Sequence, residues 1–468
     1  MRKSDPSSKR DAGASSQRRR ASLPRSLKAV NLDAAGIDIG STFHFVAVPE
    51  GRADPAVRQF GCLTPDLHEM GKWLKHCGIV SVALESTGVY WIPVLQILEQ
   101  YGIEAKLVDA YHVKNVPGRK SDVQDCQWLQ RLHMYGLLRA AFVPEQPIAV
   151  LRSYWRHRVG LVEAAARQIQ LMQKSLEMMN LQLHKVLSDI SGLSGMKIIR
   201  AILVGERDPA VLARMKHRMV KSSEETIAKA LTGDWREEHL FTLRQALELY
   251  DVYQDKIVQC DWQIEQYMTR FAIKADPADL AAKPTKKNKR GKNEPRFDLR
   301  SHLYQISGVD LTLIDGIDVM TAQTLISECG FDMSRFPSER HFSSWMGLCP
   351  NNKITGGKVF GRRSRKVHNR VATALRVAAQ SLHRSSTALG AFYRRMRARL
   401  GAPKAITATA HKLATLVYRM LKFGENYVDK GQEYYERQYQ ERVVRSLQRR
   451  AKEMGFTLAP LATTTEVS

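Results

Sequence analysis

Four carboxylates stand where acids are costly unless something uses them. Asp38 lies between Ile37 and Ile39, inside an apolar run where a charge needs a compensating partner. Glu85 closes the apolar run 79–84 in the same way. Asp122 and Asp125 are three residues apart at the opening of a predicted helix, which puts both on one face, and Lys120 and Ser121 just before them suit a helix start. Taken singly, an Asp at a helix start is more often a cap than a ligand. The combination, a strand-embedded Asp, a strand-ending Glu and an Asp-x-x-Asp helix within about ninety residues, points to metal. Four such carboxylates packed together repel unless cations neutralise them. Two magnesium ions about 4 Å apart would do so, and would also activate a nucleophile at phosphorus and stabilise the leaving oxygen.

A second set lies far downstream. Between Lys353 and Arg370 there are seven basic residues and no acid: Lys353, Lys358, Arg362, Arg363, Arg365, Lys366 and Arg370. Gly356 and Gly357 let the backbone approach a phosphate closely, so the Thr355 hydroxyl beside them would be presented to a polyanion. The plain alternative is a solvated basic loop.

The whole composition agrees with a polyanionic partner. The chain has 468 residues, with 72 Lys and Arg against 47 Asp and Glu, a formal charge of +25 and a pI near 9.9. Six scattered cysteines, at 62, 77, 126, 260, 329 and 349, form no CxxC pair, which argues against a disulfide framework or a zinc knot and for a reducing compartment. With no apolar stretch near the roughly 20 residues of a membrane span and no apolar signal core, the expected place is the cytoplasm, without a membrane partner.

Positioning these residues requires several elements. Residues 1–32 read as a disordered basic arm. Residues 33–148 read as an α/β domain: a hairpin through Asp38, strands at 79–84 and 104–109, and helices near 67–76, 92–101 and 122–134. From 149 to 275 the texture is helical. Leu176, Met179, Leu183, Val186 and Ile190 suggest one heptad seam and Leu243 to Phe271 a second, so two long helices are expected to pack antiparallel as a coiled coil. A basic, proline-broken linker occupies 276–300. Residues 301–425 form a mostly helical unit that begins with a glycine turn and helix at 315–330 and holds arginines interleaved with Phe392 and Tyr393. A charged helical tail and a fraying end complete the chain from 426 to 468.

The segments Gly36-Ile-Asp-Ile-Gly40, Ala83-Leu-Glu-Ser-Thr-Gly88 and Gly118-Arg-Lys-Ser-Asp-Val-Gln-Asp125 resemble the RuvC-like domain of the DEDD-type insertion-sequence transposases of the IS-one-ten family. The resemblance covers nearly the whole chain apart from the basic arm. It implies an RNase H-like fold for the first domain, a C-terminal transposase domain, and four acids, Asp38, Glu85, Asp122 and Asp125, that bind catalytic magnesium. It implies that Thr355 stands where the family places the nucleophilic serine of a Ser-Gly-Gly loop. Threonine keeps the hydroxyl, but its methyl restricts χ1 and crowds an in-line attack. Ser343, Ser344 and Ser364 are nearby alternatives. The resemblance further implies donor and target DNA as partners, a structured noncoding (bridge) RNA that guides their choice, and a place in the bacterial cytosol at the nucleoid. A homodimer or homotetramer is expected, with its site assembled between protomers, because the acids and the hydroxyl sit in units separated by the long helices. Three other functions compete: a RuvC-like nuclease without a covalent step, a non-catalytic nucleic-acid binder, and an actin-like or sugar-kinase ATPase. The last rests on Gly36-Ile-Asp-Ile-Gly-Ser-Thr42, which has no matching second phosphate loop.

Overall fold

The computed structural model describes residues 28–85, 88–108, 122–280, 291–350, 352–356, 358–361, 364–365, 367–424 and 427–459. The chain divides into two compact units, residues 1–143 and 144–468. Most of the basic arm, residues 1–27, and the fraying end, 460–468, lie outside the described residues.

The first unit is built on β1 (Ala34–Ile39), β2 (Phe43–Ala47), β3 (Val57–Gly61), β4 (Ser81–Glu85) and β5 (Glu104–Val108), in the order β3-β2-β1-β4-β5. β1 pairs antiparallel with β2 and parallel with β4, and β4 pairs parallel with β5. The central strands β1 and β4 are short and almost wholly apolar because both of their faces are covered. The hairpin and both parallel strands lie where the sequence suggests. β3 was not anticipated: Val-Arg-Gln-Phe-Gly hides Phe60 alone and leaves Arg58 and Gln59 exposed, as an edge strand does.

One face of this sheet packs against α1 (Thr64–His76) and α2 (Trp91–Gln100), through Ile37, Ile39, Val46, Phe60, Met70, Leu74 and Leu98. The other carries α3 (Asp122–Met134). Gly36 makes that packing possible, since a Cβ there would lie 2.3 Å from the Gln130 amide nitrogen and 2.4 Å from the Cys126 carbonyl oxygen. Gln130 donates to the Ala34 carbonyl at 3.2 Å, and His133 shares a buried 2.9 Å hydrogen bond with Ser81. Two residues assigned by sequence to the arm close the helix: the amides of Val30 and Asn31 both donate to the Met134 carbonyl at 2.9 Å.

In the second unit α4 (Gln146–Met178) is followed by α5 (Leu183–Val186), α6 (Leu193–Val204), α7 (Pro209–Arg214) and α8 (Glu224–Ala230), and then by α9 (Glu237–Met268). α4 and α9 lie antiparallel: Tyr267 donates to the Pro147 carbonyl at 3.1 Å, and Gln263 reaches the Tyr154 hydroxyl at 3.4 Å. A buried Arg158–Asp261 ion pair bolts the two together. The second expected seam runs along α9 as far as Met268, with Phe271 beyond its end. The first is not one helix. The chain turns at Asn180, which has φ 56°, and Leu176, Met179, Leu183 and Ile190 all drop into a core shared with α6, α8 and α9. A spacing of 3 and 4 survives such a break because the core lies on one side of every short segment.

The stretch expected as a linker is ordered where it is described. Phe297 and Leu299 are buried, Arg158 donates to the Asn293 carbonyl at 2.9 Å, and the Arg296 amide donates to Asp261 at 3.1 Å. Residues 281–290 lie outside the described residues. Beyond come α10 (Leu299–Ser307), α11 (Val319–Cys329), α12 (Glu339–Trp345), the two-stranded ribbon β6 (Lys353–Thr355) and β7 (Lys358–Gly361), α13 (Arg370–Ser381), α14 (Ala388–Leu400), α15 (Ala402–Phe423) and α16 (Gly431–Glu453).

Candidate nucleic-acid active site

Strand register brings the first two acids together. Gly36 pairs with Ala83 and Ile37 with Leu84 in the parallel β1–β4 ladder, and one further step sets Asp38 beside Glu85 at the carboxyl ends of both strands. The period of two puts Asp38 on the face of Gly36, which α3 covers, and Glu85 on the face of Ser81, which bonds to His133 of the same helix. Because α3 has its carboxyl end over Ala34 and Ser81, it runs antiparallel to these strands and its first turn, with Asp122 and Asp125, lies at the Asp38 end.

The Cys126 thiol reports the result. Burial, and then the nearby charges of Asp38 and Asp125, push it up to about 12. Glu85 is 5% exposed, and Asp38 and Asp125 are half-buried. The helix amino terminus adds positive dipole at this point. Asp122 is the first residue of α3; its side chain lies outside what is described. Among the described side chains no three His, Cys, Asp or Glu groups are set to hold one cation. The donor chemistry is nonetheless hard carboxylate oxygen at a converging strand end, the type that magnesium accepts.

The second set of residues is carried by the ribbon. Thr355 pairs with Lys358, and Gly356 after it has φ +55°, a conformation that a side chain disfavours. Thr355 is exposed at the tip, and Ile354 and Phe360 beside it are 61% and 74% exposed. Phe360 is the extra residue where the register shifts, and such a bulge turns its side chain out of the ladder. A bridge between Pro350 and Ser364 closes the base, and Arg365 donates to the Ser344 carbonyl at 3.2 Å. Ser343 is wholly buried, so it cannot present its hydroxyl as it stands. Lys358 is exposed. Arg362, Arg363, Lys366 and the side chain of Lys353 lie outside the described residues. Arg370 opens α13 with its Nε 4.0 Å from Glu328.

Two other sequence-derived interfaces serve packing. Gly316, with φ +88°, lies so close to α13 that a Cβ would come 2.8 Å from the Ala378 carbonyl oxygen, and Asp315 beside it accepts from Thr387 at 2.6 Å. Two of the arginines near Phe392 and Tyr393 are engaged within the chain, while Arg397 and Arg399 are exposed. Arg394 donates to Gln432 at 2.6 Å, and the Arg395 guanidinium lies 3.3 Å from the Tyr439 ring centroid. Sequence reasoning missed Glu328, which draws Arg152 and Arg156 from 172 or more residues away. No local pattern announces such a cluster.

Residues 35–180 match a family profile of DEDD transposases of IS110 elements, and residues 310–394 match the transposase profile of the IS116/IS110/IS902 family. The chain belongs to the IS110 family of transposases. The first match contains Asp38, Glu85, Asp122 and Asp125, and the second contains Thr355 and Arg370. The mixed five-stranded sheet is the RNase H-like layer of the DEDD domain. An uncharacterised 43.6 kDa protein of insertion element IS110 from Streptomyces coelicolor is 29% identical to this IS110-family chain over 119 residues. That match covers 25% of this chain and 29% of the relative's own length. Among the described residues no helix is long and apolar enough to cross a membrane.

Proposed function

We propose that this IS110-family protein cuts and rejoins DNA, with Asp38, Glu85, Asp122 and Asp125 as the metal-binding set and the Thr355 hydroxyl as the nucleophile. The observation that carries it is the convergence of Asp38, Glu85 and the first turn of α3 at the carboxyl ends of β1 and β4. Divalent cations, two magnesium ions by the charge of the donor set, would neutralise the carboxylates and polarise the scissile phosphodiester.

Gly36 and Gln130 hold α3 against the sheet, so the acids converge without a further conformational step. Thr355 stands at the exposed tip of a ribbon with Lys358 as its cross-strand partner, where an ammonium favours an approaching phosphate. In the transfer, a bond forms between Thr355 Oγ1 and phosphorus as the bond from phosphorus to one deoxyribose oxygen breaks. The threonine proton leaves to an acid–base group and the departing sugar oxygen takes one up. Attack by a sugar hydroxyl of a second strand reverses the exchange and frees the threonine.

In sequence, Arg362, Arg363, Arg365, Lys366 and Arg370 continue the basic run after the ribbon, and Lys353 opens it. We assign these residues to the DNA backbone, and the remaining excess charge to a structured guide RNA encoded by the element. Two or four copies of the chain act together at the nucleoid, each DNA end being served by one set of carboxylates and one Thr355. The test is cleavage of DNA carrying the element's junction, with magnesium and the co-expressed RNA. Asp38→Ala and Asp125→Ala should abolish it while leaving binding largely intact; cleavage by either variant at the wild-type rate contradicts the assignment.

A further inference from the structure

Glu328, near the carboxyl end of α11, is buried, with 7% of its side chain exposed. Arg152, Arg156 and Arg370 converge on it from α4 and α13. Their tasks differ. Arg152, 18% exposed, serves the helix end as well as the carboxylate: its Nη2 donates to the Glu328 main-chain carbonyl at 2.6 Å and its Nε to that of Ser327 at 3.3 Å, with the same Nε 3.4 Å from Glu328 Oε2. Arg156 takes the carboxylate itself, its Nε on Oε1 at 2.8 Å and its Nη2 on Oε2 at 2.6 Å. That bidentate fork is the strongest geometry open to this pair.

Arg370 is therefore the third guanidinium at a carboxylate whose two oxygens already accept. Its Nε stays 4.0 Å away, beyond hydrogen-bond reach, and its side chain is 56% exposed. One carboxylate against three guanidinium groups leaves two positive charges in excess, and the amino end of the 12-residue α13 adds its dipole. The crowding is visible in Arg152, where burial lowers the pKa, Glu328 raises it and Arg156 lowers it again. Arg156, with 44% of its side chain exposed, has its Nη1 left over from the fork.

We propose that Arg156, held by Glu328, and Arg370 beside it form a phosphodiester clamp separate from the Thr355 ribbon. Glu328 positions Arg156, and Arg370 supplies the unneutralised charge. The clamp grips the backbone of a nucleic acid strand where the basic run 353–370 ends, adding Arg156 from α4 to its last member. It rests on the reading of this chain as a nucleic-acid enzyme, and it names a site that the basic run alone does not contain.

The experiment measures binding of the full-length protein to a fluorescent DNA duplex and, in a second arm, to an RNA hairpin, over a range of salt concentrations. Variants are Arg370→Ala, Arg370→Lys, Arg156→Ala and, as a charge-matched control, Arg236→Ala, whose guanidinium pairs with Asp234 on the surface. One phosphate contact carries a salt slope of about 0.9, so Arg370→Ala should weaken binding about fivefold near physiological salt and reduce the slope by about one. Arg370→Lys should keep the slope, Arg156→Ala should lose as much as Arg370→Ala or more, and Arg236→Ala should lose less. The arm in which the slope changes identifies the strand as DNA or RNA. Unchanged slopes in both arms overturn the clamp, as does a fall in Tm for Arg370→Ala with binding unaltered, which would make the cluster purely structural. Covalent chemistry is a separate readout: clamp-dependent binding without any protein–DNA adduct would spare the clamp and remove the nucleophile.

Discussion

The α carbon of Gly36 sits directly under the Gln130 amide, so near that a Cβ would be 2.3 Å from that nitrogen. Because the obstacle is helix backbone, Gly36→Ala must push α3 off the sheet. We expect a loss of about 1–3 kcal/mol of stability and a loss of metal-dependent activity larger than the stability change explains, since Asp122 and Asp125 ride on the displaced helix. Thermal unfolding and cleavage assayed side by side check this. Native stability in Gly36→Ala would contradict the packing described.

Gathered carboxylates make a second expectation. Asp38 and Asp125 both act on the Cys126 thiol, so they also repel one another, and magnesium should raise the Tm of the wild-type protein. A cation at a hundred times its Kd adds about 2.7 kcal/mol. Asp38→Asn and Asp125→Asn should lose most of that increment while unfolding no earlier than wild type in chelator. Differential scanning fluorimetry with and without magnesium measures it; an equal rise in Asp38→Asn would remove Asp38 from the metal set.

Much of this site was legible in the sequence. Asp38 and Glu85 interrupt apolar strands, Asp-x-x-Asp opens a helix whose bounds fall at Asp122–Met134 as expected, and a strand–helix rhythm requires a layered sheet. What the sequence hides is long-range. Gly36 reads as part of a glycine motif, although its physical task is to admit Gln130 from 94 residues away in the chain. The break at Asn180 was invisible because Leu183 and Ile190 keep facing the same core after the chain turns. Glu328 looks like one more helix glutamate until α4 and α13 fold around it.

Acid should weaken the first unit. Burial first, and then Lys106, hold the His133 imidazole down to about 4, with Glu104 opposing; burial also lowers His44. The unfolded chain binds a proton near pH 6.5 that the folded state refuses, so the stability from neutral His133 is complete above pH 6.5 and is lost as pH falls toward 4. The loss reaches about 3 kcal/mol at that limit. Urea midpoints between pH 7 and 4.5 should fall accordingly, and the dependence should flatten in His133→Gln. A midpoint independent of pH would contradict the buried neutral imidazole.

The Arg158–Asp261 pair joins the two long helices at a site where both side chains are buried. Asp261→Ala leaves an uncompensated guanidinium and also frees the Arg296 amide, so it should cost about 3–5 kcal/mol. Asp261→Asn should cost less. Equilibrium denaturation of both variants decides whether this pair is what ties α4 to α9.

Thr355 carries the central claim, and a single gel tests it. Wild-type protein with magnesium, labelled junction DNA and RNA transcribed from the proposed element should give a protein–DNA adduct that survives denaturation. Thr355→Ser should give as much adduct or more, because removing the methyl frees χ1, and Thr355→Ala should give none while still binding DNA. An adduct of wild-type yield in Thr355→Ala would contradict the assignment of this hydroxyl as the nucleophile.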